Sequence, residues 1–177
     1  LYSIEKEDFT GRSSSNVVDN AGRNERMQLF RSPFKLQDGR IVMTNHSMGN
    51  QWAVWQGNAA VGNRLRRIVI AMDGATFGAE PIAVGSNVLT PTSNGQLHVL
   101  DSATGRKLAS PFIPSLQPDQ KHSWIGPTLT SDRKGVVIAD NTKRIYRIGL
   151  DSQLRLLFEK DFDKTLKGRL INVGQNI

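Results

Sequence analysis

Apolar and polar residues alternate over short runs along the chain, which is the spacing of half-buried β-strands. The run at 97–100 is one such segment, and Gly, Asn, Asp and Ser separate it from its neighbours. The Asn-Gly dipeptide at 94–95 predicts a type I′ hairpin turn, because both central residues of that turn need positive φ. The windows with helical spacing, 153–158 and 162–166, are too short for independent helices. An all-β fold is therefore predicted.

The apolar runs recur with a period near 48 residues. Val88 and Leu97 have apolar counterparts 48 residues later, at Val136 and Ile145. Three units share this order of runs, and each opens with a proline: Pro33, Pro81 and Pro127. The runs within a unit correspond to three or four antiparallel strands. Self-similarity at such a period is typical of a repeat architecture.

A sheet of about 45 residues cannot bury both of its faces alone, so successive units are expected to stack face to face. Radial stacking gives a β-propeller, which we predict as a single domain, complete or partial. The predicted blades cover about 30–58, 79–108 and 125–158, with partial blades at 1–5 and 167–177. A straight β-solenoid is the main alternative, although its turns are usually much shorter than 48 residues.

The two ends of the chain do not complete a unit. Residues 1–4 lie three periods before residues 145–148, so the chain is expected to begin inside a unit. Because an unclosed sheet exposes edge strands, we favour a fragment of a longer propeller. A four-bladed ring closed by the two ends, or closure by a second chain, are the alternatives. Residues 5–29 are expected to form an unusually long connection.

The positive charge is compatible with an anionic partner, although the basic residues are spread along the chain and a solvated surface explains most of them. The chain has 23 Lys and Arg against 16 Asp and Glu, for a net charge of +7. Aromatic residues make up only 7% of the chain, so nucleic acid is disfavoured. The densest basic group contains Arg64, Arg66 and Arg67, which we predict to form an interaction surface for another protein with acidic groups. No apolar run approaches the roughly 20 residues that a transmembrane helix needs.

No catalytic, cofactor-binding or metal-binding set is predicted. His46, His98 and His122 lack the spacing of a metal site. His98 is instead expected to be a half-buried strand residue with a hydrogen-bonded neighbour. The chain has no Cys, which excludes thiolate catalysis and Cys-ligated zinc.

The three tryptophans are the remaining candidates for an interaction site. Trp52 and Trp55 are expected in the core between blades, because they lie on a strand whose equivalents in the other units are apolar. Trp124 precedes the Pro127 strand and is expected at a rim, where a large aromatic side chain can anchor a partner.

Residues 94–108 resemble the pyrroloquinoline-quinone-like (PQQ-like) propeller repeat. A Gly turn and a small apolar strand are followed by Leu-Asp, a short spacer, Thr-Gly and a basic residue. The family contains quinone-dependent dehydrogenases, and also scaffolds without a cofactor such as the lipoprotein of the outer-membrane β-barrel assembly machinery. The Trp of the quinoprotein docking motif would fall at Ala109, and Glu159 takes its place in the next unit.

The resemblance therefore implies a non-catalytic scaffold without a cofactor, in a bacterial setting that is periplasmic or otherwise extracytoplasmic. Such a scaffold would bind another protein or a ligand through its loops and rims. The alternative is a fragment of a quinoprotein-like dehydrogenase, or of another propeller enzyme, whose active-site residues lie outside this chain.

Overall fold

The computed structural model describes residues 31–45, 50–56, 64–70, 72–115, 123–168 and 170–172. These residues form eleven β-strands and no helix, which confirms the predicted all-β class. The strands are β1 (Arg31–Lys35), β2 (Ile41–Asn45), β3 (Gln51–Gln56), β4 (Arg64–Val69), β5 (Ile82–Val84), β6 (Asn87–Pro91), β7 (Leu97–Asp101), β8 (Trp124–Leu129), β9 (Gly135–Asp140), β10 (Arg144–Leu150) and β11 (Leu154–Asp161).

Three antiparallel sheets contain all eleven strands, and we call them blades in chain order. Blade 1 has the strand order β1-β2-β3-β4, blade 2 has β5-β6-β7, and blade 3 has β8-β9-β10-β11. Strands that follow each other in sequence are neighbours in the sheet, as short hairpin connections require. The 48-residue period is visible in the register. Val88 lies opposite Leu100 in blade 2, and Val136 lies opposite Ile148 in blade 3.

The blades differ in extent from the predicted repeat units. Blade 1 continues past residue 58, because residues 64–69 add a fourth strand. The basic group that was expected between units therefore belongs to β4. Residues 167–168 and 170–172, expected in a partial blade, belong to no strand. Several predicted features lie outside the described residues: the partial blade at 1–5, the long connection at 5–29, His46 and His122.

Blade 2 has an irregular segment where the other blades have a fourth strand. Leu108 N donates a hydrogen bond to Val99 O at 2.9 Å. Further along, Phe112 N donates to Leu97 O at 3.0 Å. Pro111 lies between these two contacts and has no N–H to donate, which interrupts the ladder. The outer edge of β7 is therefore covered without a regular strand.

Blade 2 lies between the other two blades and buries a different face against each. Val88 and Leu100 belong to an apolar cluster shared with blade 1, whereas Leu89 and Leu97 belong to one shared with blade 3. This division follows from the alternation of side chains along a strand. The first cluster also contains Leu36, Val42, Trp52, Val54, Ile68, Ile70, Met72 and Ala75. The second also contains Phe112, Trp124, Val136, Ile138, Tyr146 and Ile148.

The two tryptophans of β3 point to opposite faces of blade 1. Trp52 is fully buried against blade 2, and its Nε1 donates a hydrogen bond to Ser102 O at 3.1 Å. Trp55 lies three residues further on, so it faces away from blade 2, and it is half-buried. The predicted place between blades is confirmed for Trp52, whereas Trp55 lies on the other face of the sheet.

The hairpin between β6 and β7 differs from the predicted type I′ turn. Gly95 has a φ of 82° and donates its N–H to Thr92 O at 3.0 Å, but Asn94 is not in the positive-φ region. The turn therefore places a single left-handed residue before the next strand. The equivalent residue 48 positions later is Lys143, with a φ of 74°. This conformation costs a non-glycine residue roughly 1–2 kcal/mol.

We expect Lys143→Gly to stabilise the chain by about 1 kcal/mol, because glycine adopts positive φ without a steric cost and loses part of that gain to chain entropy. Gly95→Ala should destabilise the chain by about the same amount. Urea denaturation of both variants and the wild type measures these differences. A less stable Lys143→Gly variant beside an unaffected Gly95→Ala variant would contradict the equivalence of the two turns.

Candidate interaction surfaces

The predicted basic surface lies on β4, the outermost strand of blade 1. Among the described strands, β4 pairs only with β3. Arg66 and Arg67 are both exposed, and as neighbours on a strand they project on opposite sides of the sheet. Arg64 belongs to the same strand. The structure therefore places the three predicted residues on one edge strand. The guanidinium groups of Arg66 and Arg67 are exposed on opposite sides of that strand.

A turn of blade 2 brings a further basic residue to the end of β4. A Cβ atom on Gly105 would lie 3.0 Å from Ile68 Cγ2, so a glycine is needed where this turn approaches blade 1. Arg106 follows it and is exposed. Lys107 is instead paired, because its Nζ lies 2.9 Å from Asp73 Oδ2. That hydrogen bond holds the pKa of Asp73 below its usual range.

The same turn is held by the carboxylate of Asp101, as an Asx-type turn. Asp101 Oδ1 accepts hydrogen bonds from Thr104 N and Thr104 Oγ1, both at 2.7 Å, and from Ala103 N at 3.1 Å. The Thr104 hydroxyl contributes most to keeping the pKa of Asp101 below its usual range. The Asp-x-x-Thr-Gly spacing therefore serves to place the turn against β4.

Trp124 is a core residue, and the expectation of an exposed rim position was wrong. It is only 5% exposed, and its Nε1 donates a hydrogen bond to Gln96 O at 3.3 Å. Its ring meets the Tyr146 ring edge-on, at a centroid distance of 5.8 Å. Since blade 2 covers this side of blade 3, Trp124 has little surface left for a partner.

A buried carboxylate near Trp124 holds the hairpin between β9 and β10. Tyr146 donates its hydroxyl proton to Asp140 Oδ2 at 2.7 Å. Asp140 Oδ1 accepts from Thr142 N at 2.9 Å and from Arg144 N at 3.0 Å. Burial, and then the hydrogen bond to the carboxylate, raise the pKa of Tyr146 well above its usual range. The geometry assigns Asp140 a structural role in this turn.

His98 lies on β7 opposite Thr90 and faces blade 1. It is 2% exposed and therefore fully buried, not half-buried as expected. Its Nε2 lies 3.0 Å from Gln96 Oε1, so the expected hydrogen-bonded neighbour is present. Its Nδ1 has no hydrogen-bond partner among the described residues. Burial, with a smaller effect of the positive charge of Lys107, lowers the pKa of His98 to about 4, while Asp73 opposes this shift. The neutral imidazole is therefore the form that fits the interface.

We expect His98 to make the chain less stable in acid. Its pKa of about 4 in the folded chain lies below the ordinary 6.5, so the unfolded chain binds the proton first as pH falls. The stability is complete above pH 6.5 and is lost progressively towards pH 4, by about 2–3 kcal/mol. Urea denaturation near neutral pH and near pH 4 should show this loss, and His98→Gln should reduce it. Equal pH dependence in both chains would refute the assignment.

Exposed apolar side chains are concentrated on the outermost strands. Those that are large and exposed in the described part are Val69, Leu108, Ile113, Leu156, Leu157, Phe158 and Ile171. Three of them are consecutive on β11 and one ends β4. The sequence carries one signal for these positions, the apolar run within 153–158, whose spacing is helical and does not indicate exposure.

The described residues contain no cluster of three His, Asp or Glu side chains that could hold a metal ion. They also include no helix that could span a membrane.

No known family profile and no curated protein matches the chain. Among solved structures, it is similar to the β-propeller domain of Cps50 (Swd1) from Myceliophteria thermophila, with 14% identity and a TM-score of 0.52, over 72% of this chain and 43% of that one. Hsv2 from Kluyveromyces lactis matches with 14% identity and a TM-score of 0.50, over 73% of this chain and 46% of that one. BamB from Moraxella catarrhalis matches with 16% identity and a TM-score of 0.48, over 70% and 34%.

The chain spans less than half the length of each of these proteins. At this level of identity the similarity shows the fold alone. The three blades form part of a β-propeller, which confirms the predicted fold class.

Proposed function

We propose that the chain is a non-catalytic propeller scaffold of the PQQ-like repeat type, which binds another protein with an acidic surface along β4. The observation that carries the proposal is the pair Arg66 and Arg67, both exposed on the outermost strand of a regular sheet. The net charge of +7 adds long-range attraction for such a partner. The resemblance of residues 94–108 to the PQQ-like repeat supports the family and, with it, a bacterial extracytoplasmic setting.

The chemistry of arginine suits this role. A planar guanidinium group can bind a carboxylate through two parallel hydrogen bonds. Six register pairs hold β4 against β3, so Arg66 and Arg67 project from an ordered backbone and less conformational entropy is lost when they bind. Arg106 extends the surface towards blade 2. Because Arg66 and Arg67 project on opposite sides of the sheet, an extended segment with several carboxylates would contact both by following the edge of β4.

A fluorescent polyglutamate peptide tests this proposal. We expect Arg66→Glu/Arg67→Glu to weaken its binding about tenfold or more, because two attractive charges become repulsive. The wild-type affinity should also fall as salt is added. Fluorescence anisotropy at several salt concentrations measures both effects.

The matched control is Arg133→Glu/Lys134→Glu, which changes the net charge by the same amount at the exposed turn between β8 and β9. It should leave binding close to the wild-type value. Equal losses in the two double variants would mean that the peptide responds only to total charge. Binding that does not change with salt would also refute the proposal.

A further inference from the structure

The hairpin turn between β6 and β7 carries the one Asn-Gly pair of the sequence, Asn94-Gly95. Asparagine is a thermally labile residue. It is most reactive before glycine, because glycine has no side chain to hinder attack by its own backbone nitrogen. Asn94 is exposed, so water reaches its side-chain amide. The turn therefore combines a reactive pair of residues with access to the reagent.

Deamidation of this pair needs only water. The Gly95 nitrogen, after losing its proton to water, attacks Asn94 Cγ, and the Cγ–Nδ2 bond breaks to release ammonia. Water then opens the cyclic imide. Addition of water at Cγ restores the normal main chain and leaves an aspartate. Addition at the main-chain carbonyl carbon of residue 94 leaves the chain running through Cγ, as isoaspartate.

The folded turn restrains the attacking nitrogen. Gly95 N donates a hydrogen bond to Thr92 O at 3.0 Å, so this N–H must leave the carbonyl before the nitrogen reaches Asn94 Cγ. The Thr92 hydroxyl donates to Asn94 Oδ1 at 2.6 Å and accepts from Gln96 N at 3.2 Å. A hairpin tip opens locally at a lower free-energy cost than the whole chain. The opening of this turn is therefore expected to set the reaction rate in the folded chain.

A second turn of the chain shows that an aspartate fits this position. Between β8 and β9, Arg133 N donates to Thr130 O at 2.9 Å, which is the hydrogen bond that Gly95 makes in its own turn. The Thr130 hydroxyl donates to Asp132 Oδ1 at 2.6 Å, as the threonine of the other turn does to Asn94. This hydrogen bond holds the pKa of Asp132 below its usual range, so the ionised carboxylate suits the turn.

Isoaspartate does not suit the same turn, because it adds one carbon atom to the main chain at residue 94. Thr92 N donates to Gln96 O at 2.9 Å, and the lengthened chain would disturb this closing hydrogen bond. Gln96 O also accepts from Trp124 Nε1 at 3.3 Å, and Gln96 Oε1 lies 3.0 Å from His98 Nε2. A displaced Gln96 would therefore weaken the contact between blades 2 and 3.

We propose that Asn94 is a site of spontaneous deamidation, at which the fold accommodates the aspartate product and is destabilised by the isoaspartate product. The matching turn at Asp132 is the observation that carries the difference between the two products. Ageing of the folded chain then creates two modified populations of equal charge. One is as stable as the original chain, and the other has a weakened contact between blades 2 and 3.

Peptide mapping of the full 177-residue chain, incubated in the folded state at mildly alkaline pH, tests the site. The internal control is Asn141, which is exposed in the equivalent turn of blade 3 but precedes Thr142. We expect Asn94 to deamidate about tenfold faster or more, because the β-branched Thr142 hinders attack by its nitrogen. No conversion of Asn94 in the folded chain, or equal conversion of Asn141, would overturn the proposal.

The products are tested by their stability. Asn94→Asp should unfold at the same urea concentration as the wild type. The aged sample would be exposed briefly to a protease just below that urea concentration, and the surviving chains mapped by chromatography that separates the isomeric peptides. Isoaspartate should be depleted about fivefold or more relative to aspartate, because cleavage follows the open population. A destabilised Asn94→Asp variant, or equal survival of the two products, would refute the assigned difference.

Discussion

Burial of apolar side chains between neighbouring blades is the interaction on which the rest of the structure depends. A three-stranded sheet such as blade 2 has no second layer of its own to cover either face. Val88 and Leu100 on one face, and Leu89 and Leu97 on the other, are all fully buried by the adjacent blades. Burial of one such side chain contributes roughly 1.5–3 kcal/mol. Removing either neighbour would therefore expose an entire apolar face.

This stacking requires that every strand keep its register, and the polar turns provide that. A slip of one residue would turn the apolar face of a strand to the wrong side. Thr92 accepts a hydrogen bond from Gln96 N at 3.2 Å, and Thr130 accepts one from Gly135 N at 3.0 Å, so both hairpins are closed by a threonine hydroxyl. Asp140 closes the following hairpin of blade 3 through its carboxylate. Short polar side chains thus determine which apolar residues meet between blades.

The sequence predicted the fold class and the period because both arise from local alternation and its repetition. Val88 and Val136 occupy equivalent strands, as their spacing indicated. The burial of Trp124 could not be predicted, because blade 2 covers this side chain. The apolar pattern of a single strand does not show which neighbouring blade packs against it. The hairpin at Asn94 was assigned the wrong turn type, because the hydrogen bonds of Thr92 decide its geometry.

The candidate site was predicted in part, for a related reason. Arg66 and Arg67 stood out as a charge cluster, and charge can be seen in a sequence without knowing the fold. Their importance depends on β4 being outermost in blade 1, which is a property of strand order. The exposure of Leu157 and Phe158 on β11 could not be predicted, because an apolar run normally indicates burial. Exposure at a sheet edge becomes visible only when the neighbouring blades have been placed.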